Sequence, residues 1–214
     1  MDTDLPTQLA GEAVSLLGQR ALWWPARGAL LIADLHLGKA DTFRRAGIAL
    51  PRGGTHDDLQ RLQALLQAYP CRELWILGDV LHGATHAAAW QQQWQAWRAR
   101  HAGVGVHVIR GNHDRQLQQA ALDVVPHEEA VPLGPFLLCH HPQRCDDAHV
   151  IAGHLHPQVA LPALRRRFPA FWLQDGLSVL PAFSAFTAGG VPAVQRGDRL
   201  VACVQGHAIE VPQA

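Results

Sequence analysis

The chain has 214 residues, enough for one α/β domain with a sizeable core and short for two. Hydrophobic residues make up 48% and charged residues 17%, an ordinary globular composition. Lys plus Arg and Asp plus Glu both total 18, so no global charge steers the chain to nucleic acid or membrane, and any phosphate-binding surface has to be local.

Cys71, Cys139, Cys145 and Cys203 form no CxxC pair, so reduced thiols are expected rather than a zinc ribbon or redox motif. The N-terminus lacks a basic segment followed by an apolar core, and no apolar run reaches about 18 residues. The expectation is a soluble cytoplasmic protein forming one domain over residues 1–214, with no membrane contact.

In chain order, residues 1–9 read as a loose polar start. Residues 13–17 and 21–24 flank Gly18-Gln19-Arg20 as a hairpin. Residues 29–33 are a continuous apolar run, the mark of a strand buried on both faces, and it ends in Asp34-Leu35-His36. Residues 39–51 form a basic loop or short helix. Thr55 with Asp58 signals a helix start, and Leu59, Leu62, Leu65 and Leu66 follow as an apolar stripe.

Residues 73–77 are the next buried strand, ending in Gly78-Asp79. A helix is predicted over 87–100 with Trp90, Trp94 and Trp97 on one face, read as packing on the sheet rather than as a platform for bases. Val104, Val106 and Val108 alternate as a strand that stops at Arg110-Gly-Asn-His-Asp114, and residues 116–122 read as a short helix. Strands over 136–139 and 149–152 end in His140-His141 and in Gly153-His-Leu-His-Pro157. Residues 170–173 and 178–180 look like paired strands, and 200–204 and 207–211 flank Gln205-Gly206 as a hairpin. Strands alternating with helices early and with hairpins late argue for a layered α/β fold with mixed sheets inside and helices outside.

The strand ends carry the chemistry. Asp34-x-His36, Gly78-Asp79, Asn112-His113-Asp114, His140 and His154-x-His156 each sit just past an apolar strand, where open α/β sheets collect ligands. Singly, each is as readily a polar turn. Together they offer two Asp, one Asn and four His with no thiolate, a set suited to Mn, Fe or Zn and large enough for two ions. Two such ions lower the pKa of a water and clamp a phosphate, while an imidazole outside the metal shell protonates the leaving oxygen. The remaining histidines, His56, His86, His101, His107, His127, His149 and His207, read as core or surface groups, and His82 and His141 stay open between that reading and a place at the site.

The ordered set DxH, GD, GNHD, H and GHxH resembles the calcineurin-like metallophosphoesterase superfamily. Closer still, Asp34-Leu-His-Leu-Gly-Lys39, Phe43-Arg44, Gly47-Ile-Ala-Leu-Pro51, Gly153-His-Leu-His-Pro157, Leu180-Pro-Ala-Phe183 and Phe186-Thr187 are similar to bacterial DNA ligase-associated metallophosphoesterases. The resemblance implies a four-layer α/β fold, two mixed β-sheets packed as a sandwich flanked by helices. It implies one divalent ion, Mn by preference, on Asp34, His36, Asp79 and His156. A second ion then lies on Asp79, Asn112, His140 and His154. His113 is the implied general acid, oriented by Asp114. His141 stands where the superfamily commonly has glycine, so His140 and His141 compete for one ligand position; His140, the first residue past the strand, is preferred.

The implied activity is that of a phosphodiesterase or endonuclease acting in DNA repair, with single-stranded DNA a candidate substrate. The implied associates are an ATP-dependent DNA ligase, a helicase and a metallo-β-lactamase-fold nuclease. Lys39, Arg44 and Arg115 lie near the motifs and are candidate phosphate contacts, or else solvated charges. Arg165-Arg166-Arg167 is the sharpest basic run. The rival readings are a phosphomonoesterase or small-nucleotide phosphodiesterase with the same site, and a non-catalytic repair scaffold.

Overall fold

The computed structural model describes residues 4–48, 53–82 and 89–212. Expectations that fall on Pro51, His86 and Ala87 lie outside the described residues. The first sheet holds β1 (Leu5–Leu9), β2 (Glu12–Leu17), β3 (Ala21–Trp24), β4 (Ala29–Ile32), β5 (Glu73–Leu77), β6 (Gly105–Ile109) and β7 (Val125–His127) side by side in chain order. Pairing is antiparallel from β1 to β4 and parallel from β4 to β7. The parallel crossovers carry α1 (Lys39–Arg45), α2 (Thr55–Ala68) and α3 (Ala89–Arg100).

The second sheet is built from β8 (Ala130–Leu133), β9 (Phe136–Cys139), β10 (His149–Ala152), β11 (Gln158–Leu161), β12 (Arg166–Gln174), β13 (Leu177–Val179), β14 (Arg199–Val204) and β15 (His207–Val211). Its order is β15-β14-β12-β13-β10-β9-β8, with β11 pairing β12 beside that row. β9, β10 and β13 are parallel and the other pairings are antiparallel, so this sheet is mixed too.

The apolar run in β4 divides residue by residue. Leu30 and Ile32 face the helices, in a core with Leu59, Leu62 and Leu65 of α2 and Trp90, Trp94 and Trp97 of α3. Ala29, Leu31 and Ala33 face the second sheet, in a core with Phe136, Leu138, Ile151, Phe171 and Val201. A strand with both faces covered has no place for a polar residue, which is why β4 and β5 read as unbroken hydrophobic stretches. Each leucine buried this way contributes about 1.5–3 kcal/mol. The tryptophan stripe is core: Trp94 is fully buried and its indole N–H donates to the Leu122 carbonyl. Its truncation to alanine would cost about 3–5 kcal/mol.

Three local expectations change. Residues 5–9 form β1 rather than a loose start; only Leu5, Thr7 and Leu9 alternate inward, too weak a hydrophobic signal in so short a stretch. Residues 116–121 are a succession of hydrogen-bonded turns instead of a helix, seated on buried Leu117, Ala120 and Leu122. Thr55 does begin α2, but its hydroxyl accepts the Gly38 amide instead of capping the helix, and Gly54 is the N-cap. Helical cover is concentrated on the first sheet: among the described residues of the second half, the one helical piece is the single turn Pro162–Leu164. No helix of the described residues is long and apolar enough to cross a membrane.

Candidate metal centre

The carboxyl ends of the parallel strands β4, β5, β6, β9 and β10 meet along one rim, and every motif sits there. Backbone bonds fix their mutual positions. Asp34 N–H donates to the Gly78 carbonyl, His36 N–H to Asp79, and Gly153 N–H to His140. Asp34, His36, Asp79, His154 and His156 all adopt positive φ, from 46° to 69°. Left-handed backbone costs a residue with a Cβ about 1–2 kcal/mol. Five such residues at one rim mark backbone held by its surroundings for the sake of where the side chains point.

Two glycines make the crowding feasible. A Cβ on Gly78, itself at φ 81°, would lie 2.0 Å from His140 Nδ1; one on Gly111 would lie 2.2 Å from Asp79 Oδ1. The glycine before Asp79 and the glycine before Asn112 are therefore spaces for a neighbouring motif's side chain.

The donors gather in two overlapping groups. In the first, Asp34, His36 and His156 bring ligand atoms within 4.8 Å of one another. His156 Nε2 lies 3.3 Å from Asp34 Oδ1, and its other nitrogen donates to the Ala188 carbonyl. In the second, His140 donates Nδ1–H to the Leu77 carbonyl, which leaves a lone pair on Nε2. Around that nitrogen stand Asn112 Oδ1 at 2.9 Å, His154 Nδ1 at 3.1 Å and Asp79 Oδ1 at 3.6 Å. The groups meet at Asp34, Asp79 and His140, which themselves form a triad of donors.

Asp34 Oδ1, both ring nitrogens of His36 and His156 Nε2 are buried without a hydrogen-bond partner among the described residues. Buried polar atoms are nearly always satisfied, so three residues with orphaned ligand atoms, one from each within 4.8 Å of the others, fit a bound cation. Burial, and then the nearby Lys39 charge, pushes the His36 pKa down to about 2, so its imidazole is neutral and keeps a lone pair to give. His156 is raised: burial opposes its charge, but the Asp34 carboxylate outweighs that. The carboxylate, amide and imidazole set is hard to borderline and suits first-row divalent ions.

His140 and His141 both fall in one donor group with His154, their ligand atoms within 4.8 Å of one another, and they differ in burial. His140 has 1% side-chain exposure and points into the rim. His141 is exposed, with its ring 4.1 Å from that of His154, so it stands beside the second group from the solvent side. His113 is 43% exposed; its amide donates to Asp79 Oδ1 and its Nε2 lies 3.9 Å from Asp79 Oδ2.

Asp114 does not have the expected geometry. Its two oxygens accept the amides of Leu81 and Gly111, and burial raises its pKa. The carboxylate ties the loop after β6 to the loop after β5, so it places His113 through the backbone and not by gripping the ring. The cause is burial: at 1% exposure, the carboxylate is surrounded by amide donors that would otherwise be unmet.

Of the candidate phosphate contacts, Lys39 is brought to the centre. It opens α1, is half-buried, and is close enough to be influenced by Asp34 and Asp79; burial lowers its pKa. Arg44 pairs with Asp41 on the same helix, and Arg115 is exposed beyond Asp114. In sequence His82 has no ligand-bearing neighbour, and the fold brings it to the centre. Its ring lies 5.3 Å from those of both His36 and His113, stacked on the latter, and burial pushes its pKa down to about 4. Its spacing, three residues past Asp79 in a loop leaving the rim, was the available signal.

A family model described as calcineurin-like phosphoesterase matches residues 29–140, which takes in every motif through His140 and stops before His154 and His156. Among solved structures, the crystal structure of Pseudomonas putida nuclease MPE is similar, with 38% identity, a TM-score of 0.84, and coverage of 98% of this chain and 100% of that one. No curated protein matches. A family match over more than half the chain and this identity over nearly all of it establish that the chain belongs to the calcineurin-like phosphoesterase family and is a metal-dependent hydrolase.

Proposed function

We propose that the protein is a dinuclear phosphodiesterase acting on nucleic acid, with single-stranded DNA as a substrate. The observation that supports this most is the pair of donor groups meeting at Asp34, Asp79 and His140, with orphaned buried atoms in the first. Asp34, His36, Asp79 and His156 would hold one divalent ion, Mn by preference over Fe or Zn. Asp79, Asn112, His140 and His154 would hold the other. Such a pair, when bound, supplies a nucleophilic water at neutral pH and neutralises charge on the phosphate.

The chain's own residues do the rest. The Leu77 and Ala188 carbonyls fix the tautomers of His140 and His156, so the nitrogen facing the centre carries the lone pair. His113, exposed at the mouth beside Asp79, holds a proton at Nε2 for the leaving oxygen. Lys39 faces the same carboxylates from the start of α1 and offers a positive charge to a phosphate oxygen. Arg44 and Arg115 are assigned to more distant phosphates. The solved relative is titled a nuclease, which favours a diester over a monoester. The likeness to ligase-associated enzymes supports a role in DNA repair in the cytoplasm, alongside an ATP-dependent ligase, a helicase and a metallo-β-lactamase-fold nuclease.

The test is a substrate panel with elemental analysis. The Mn-loaded protein should hydrolyse bis-nitrophenyl phosphate and single-stranded DNA and carry two ions per chain. Turnover confined to nitrophenyl monoester would replace this reading with a phosphomonoesterase.

A further inference from the structure

The Arg165-Arg166-Arg167 run is unused by the metal centre, and the fold brings it to another positively charged residue far away in sequence. Arg166 and Arg167 open β12 and, with Arg20 from the β2–β3 turn, line a depression of about 430 Å³ that Phe168 and Pro169 also line. Among the described residues no carboxylate lines it. Arg165 and the same two arginines also line an adjoining, shallower depression. The β11–β12 hairpin contains no acidic residue between Pro157 and Gln174. In a chain whose formal charge is zero, this is a local excess of positive charge, and local excess is what a phosphate-binding surface requires here.

The excess is not cancelled from beneath. Arg20 and Arg61 approach a single buried carboxylate, Asp58, and Arg61 is the one that pairs with it, at 2.8 Å. Burial, and then Arg61, lowers the Arg20 pKa to about 10, which still leaves it cationic at neutral pH. Arg20 also connects the depression to the metal centre. Its Nη1 donates to the Ser184 carbonyl at 2.9 Å, and the Ser184 amide donates to the Asp34 carbonyl at 3.2 Å. An occupant of the depression would therefore lie directly behind the segment that holds Asp34.

We propose that Arg20, Arg166 and Arg167 form a second phosphate site, which takes a backbone phosphate of a nucleic-acid strand outside the metal centre. Guanidinium forks suit phosphate oxygens bidentately. Phe168 and Pro169 offer apolar surface for the attached sugar or base, and Arg166 lies over the Phe168 ring at 5.5 Å. The site rests on the reading of the protein as a nucleic-acid phosphodiesterase, since only a polymeric substrate has phosphates to spare for it.

The experiment measures fluorescence anisotropy of a labelled single-stranded oligonucleotide in chelator, where hydrolysis does not interfere. The R166A/R167A protein is compared with wild type and with R144A/R196A, which removes the same charge elsewhere; both replaced arginines of the pocket are exposed, and Arg20 is left in place because it holds the 182–184 segment. Expected is a several-fold loss of affinity in R166A/R167A alone, with the slope of log affinity against log salt shallower by about 1.4, the value for two single-strand phosphate contacts. Equal affinity and slope in all three proteins would overturn the proposal. So would loss of inorganic phosphate binding in R166A/R167A, read by calorimetry, with oligonucleotide binding intact, which would assign the pocket to a free anion. Turnover of bis-nitrophenyl phosphate reports separately on the metal centre. An inactive wild type whose oligonucleotide binding still depends on Arg166 and Arg167 would overturn the proposed function and leave this site standing.

Discussion

Asp79 holds His113 from the backbone. The His113 amide donates to Asp79 Oδ1 at 2.9 Å, while the His113 ring nitrogen Nε2 stands 3.9 Å from Asp79 Oδ2. One carboxylate thus faces both donor groups and also places the imidazole at the mouth of the centre. Metal binding and the position of the proposed acid are linked through a single side chain.

Asp79→Ala should abolish loading of a second ion, because the proposed bridge belongs to both. Elemental analysis of the purified variant should give fewer than two ions per chain. Two tightly held ions in the variant would remove Asp79 as the bridge.

His140→Ala should cost far more activity than His141→Ala. His140 is buried, hydrogen-bonded to Leu77, and surrounded by Asn112, His154 and Asp79, whereas His141 is exposed beside His154. Turnover of the two variants under saturating Mn²⁺ checks the order, and a reversed order would move the ligand by one residue.

His113→Ala should keep both ions and lose most DNA hydrolysis, by about 10²–10⁴-fold for a missing general acid. Nitrophenolate leaves readily without a proton and a sugar alkoxide does not, so the loss on a nitrophenyl diester should be much smaller. Equal losses on the two substrates would make His113 a stabiliser of phosphate charge, and loss of metal would make it a ligand.

Asp58→Ala should loosen the segment behind Asp34. The buried Asp58 carboxylate pairs with Arg61 and accepts the Ala185 amide, and Arg61 donates to the Phe183 carbonyl while its guanidinium lies over the Phe183 ring. Removing one partner of a buried pair costs about 3–5 kcal/mol; Arg61 keeps some access to water, so about 2–3 kcal/mol is expected. Chemical denaturation measures it, and Asp58→Asn, which retains an acceptor for the Ala185 amide, should lose less. An unaltered midpoint in Asp58→Ala would show that the pair does not hold the segment.

The metal-free protein should lose stability as pH falls from 7.5 to 5.5. Burial holds His149, His107 and His101 below the ordinary histidine value of 6.5, so the unfolded chain takes up protons there before the folded one does. Their neutral-state contribution is complete above 6.5 and is lost as pH falls below it. Thermal unfolding in chelator should show a falling Tm over that range, with a shallower fall in His149→Gln; a flat profile in the unmodified protein would refute it.

Much of this architecture was legible in the chain itself. A strand covered on both faces admits only apolar residues, so β4, β5, β9 and β10 stood out, and the polar residues at their ends had to belong to the rim. The tryptophans at i, i+4 and i+7 marked a helix face for the same reason, since each needs a large buried partner surface. The five motifs and their order pointed to a metal-dependent phosphoesterase because few other functions require that donor set.

What sequence position does not carry is distance across the fold. Asp114 follows His113 directly, yet its oxygens are claimed by amides 3 and 33 residues away, and only tertiary packing brings Leu81 to it. His82 joins His36 and His113 because its amide donates to the Leu37 carbonyl, which brings it beside the Asp34–His36 segment. Arg20 meets Arg166 and Arg167 across some 146 positions because the β2–β3 turn and β12 converge behind the Asp34 segment. Each of these depends on closing a long loop onto a particular partner, and local propensity and periodicity have no access to that choice.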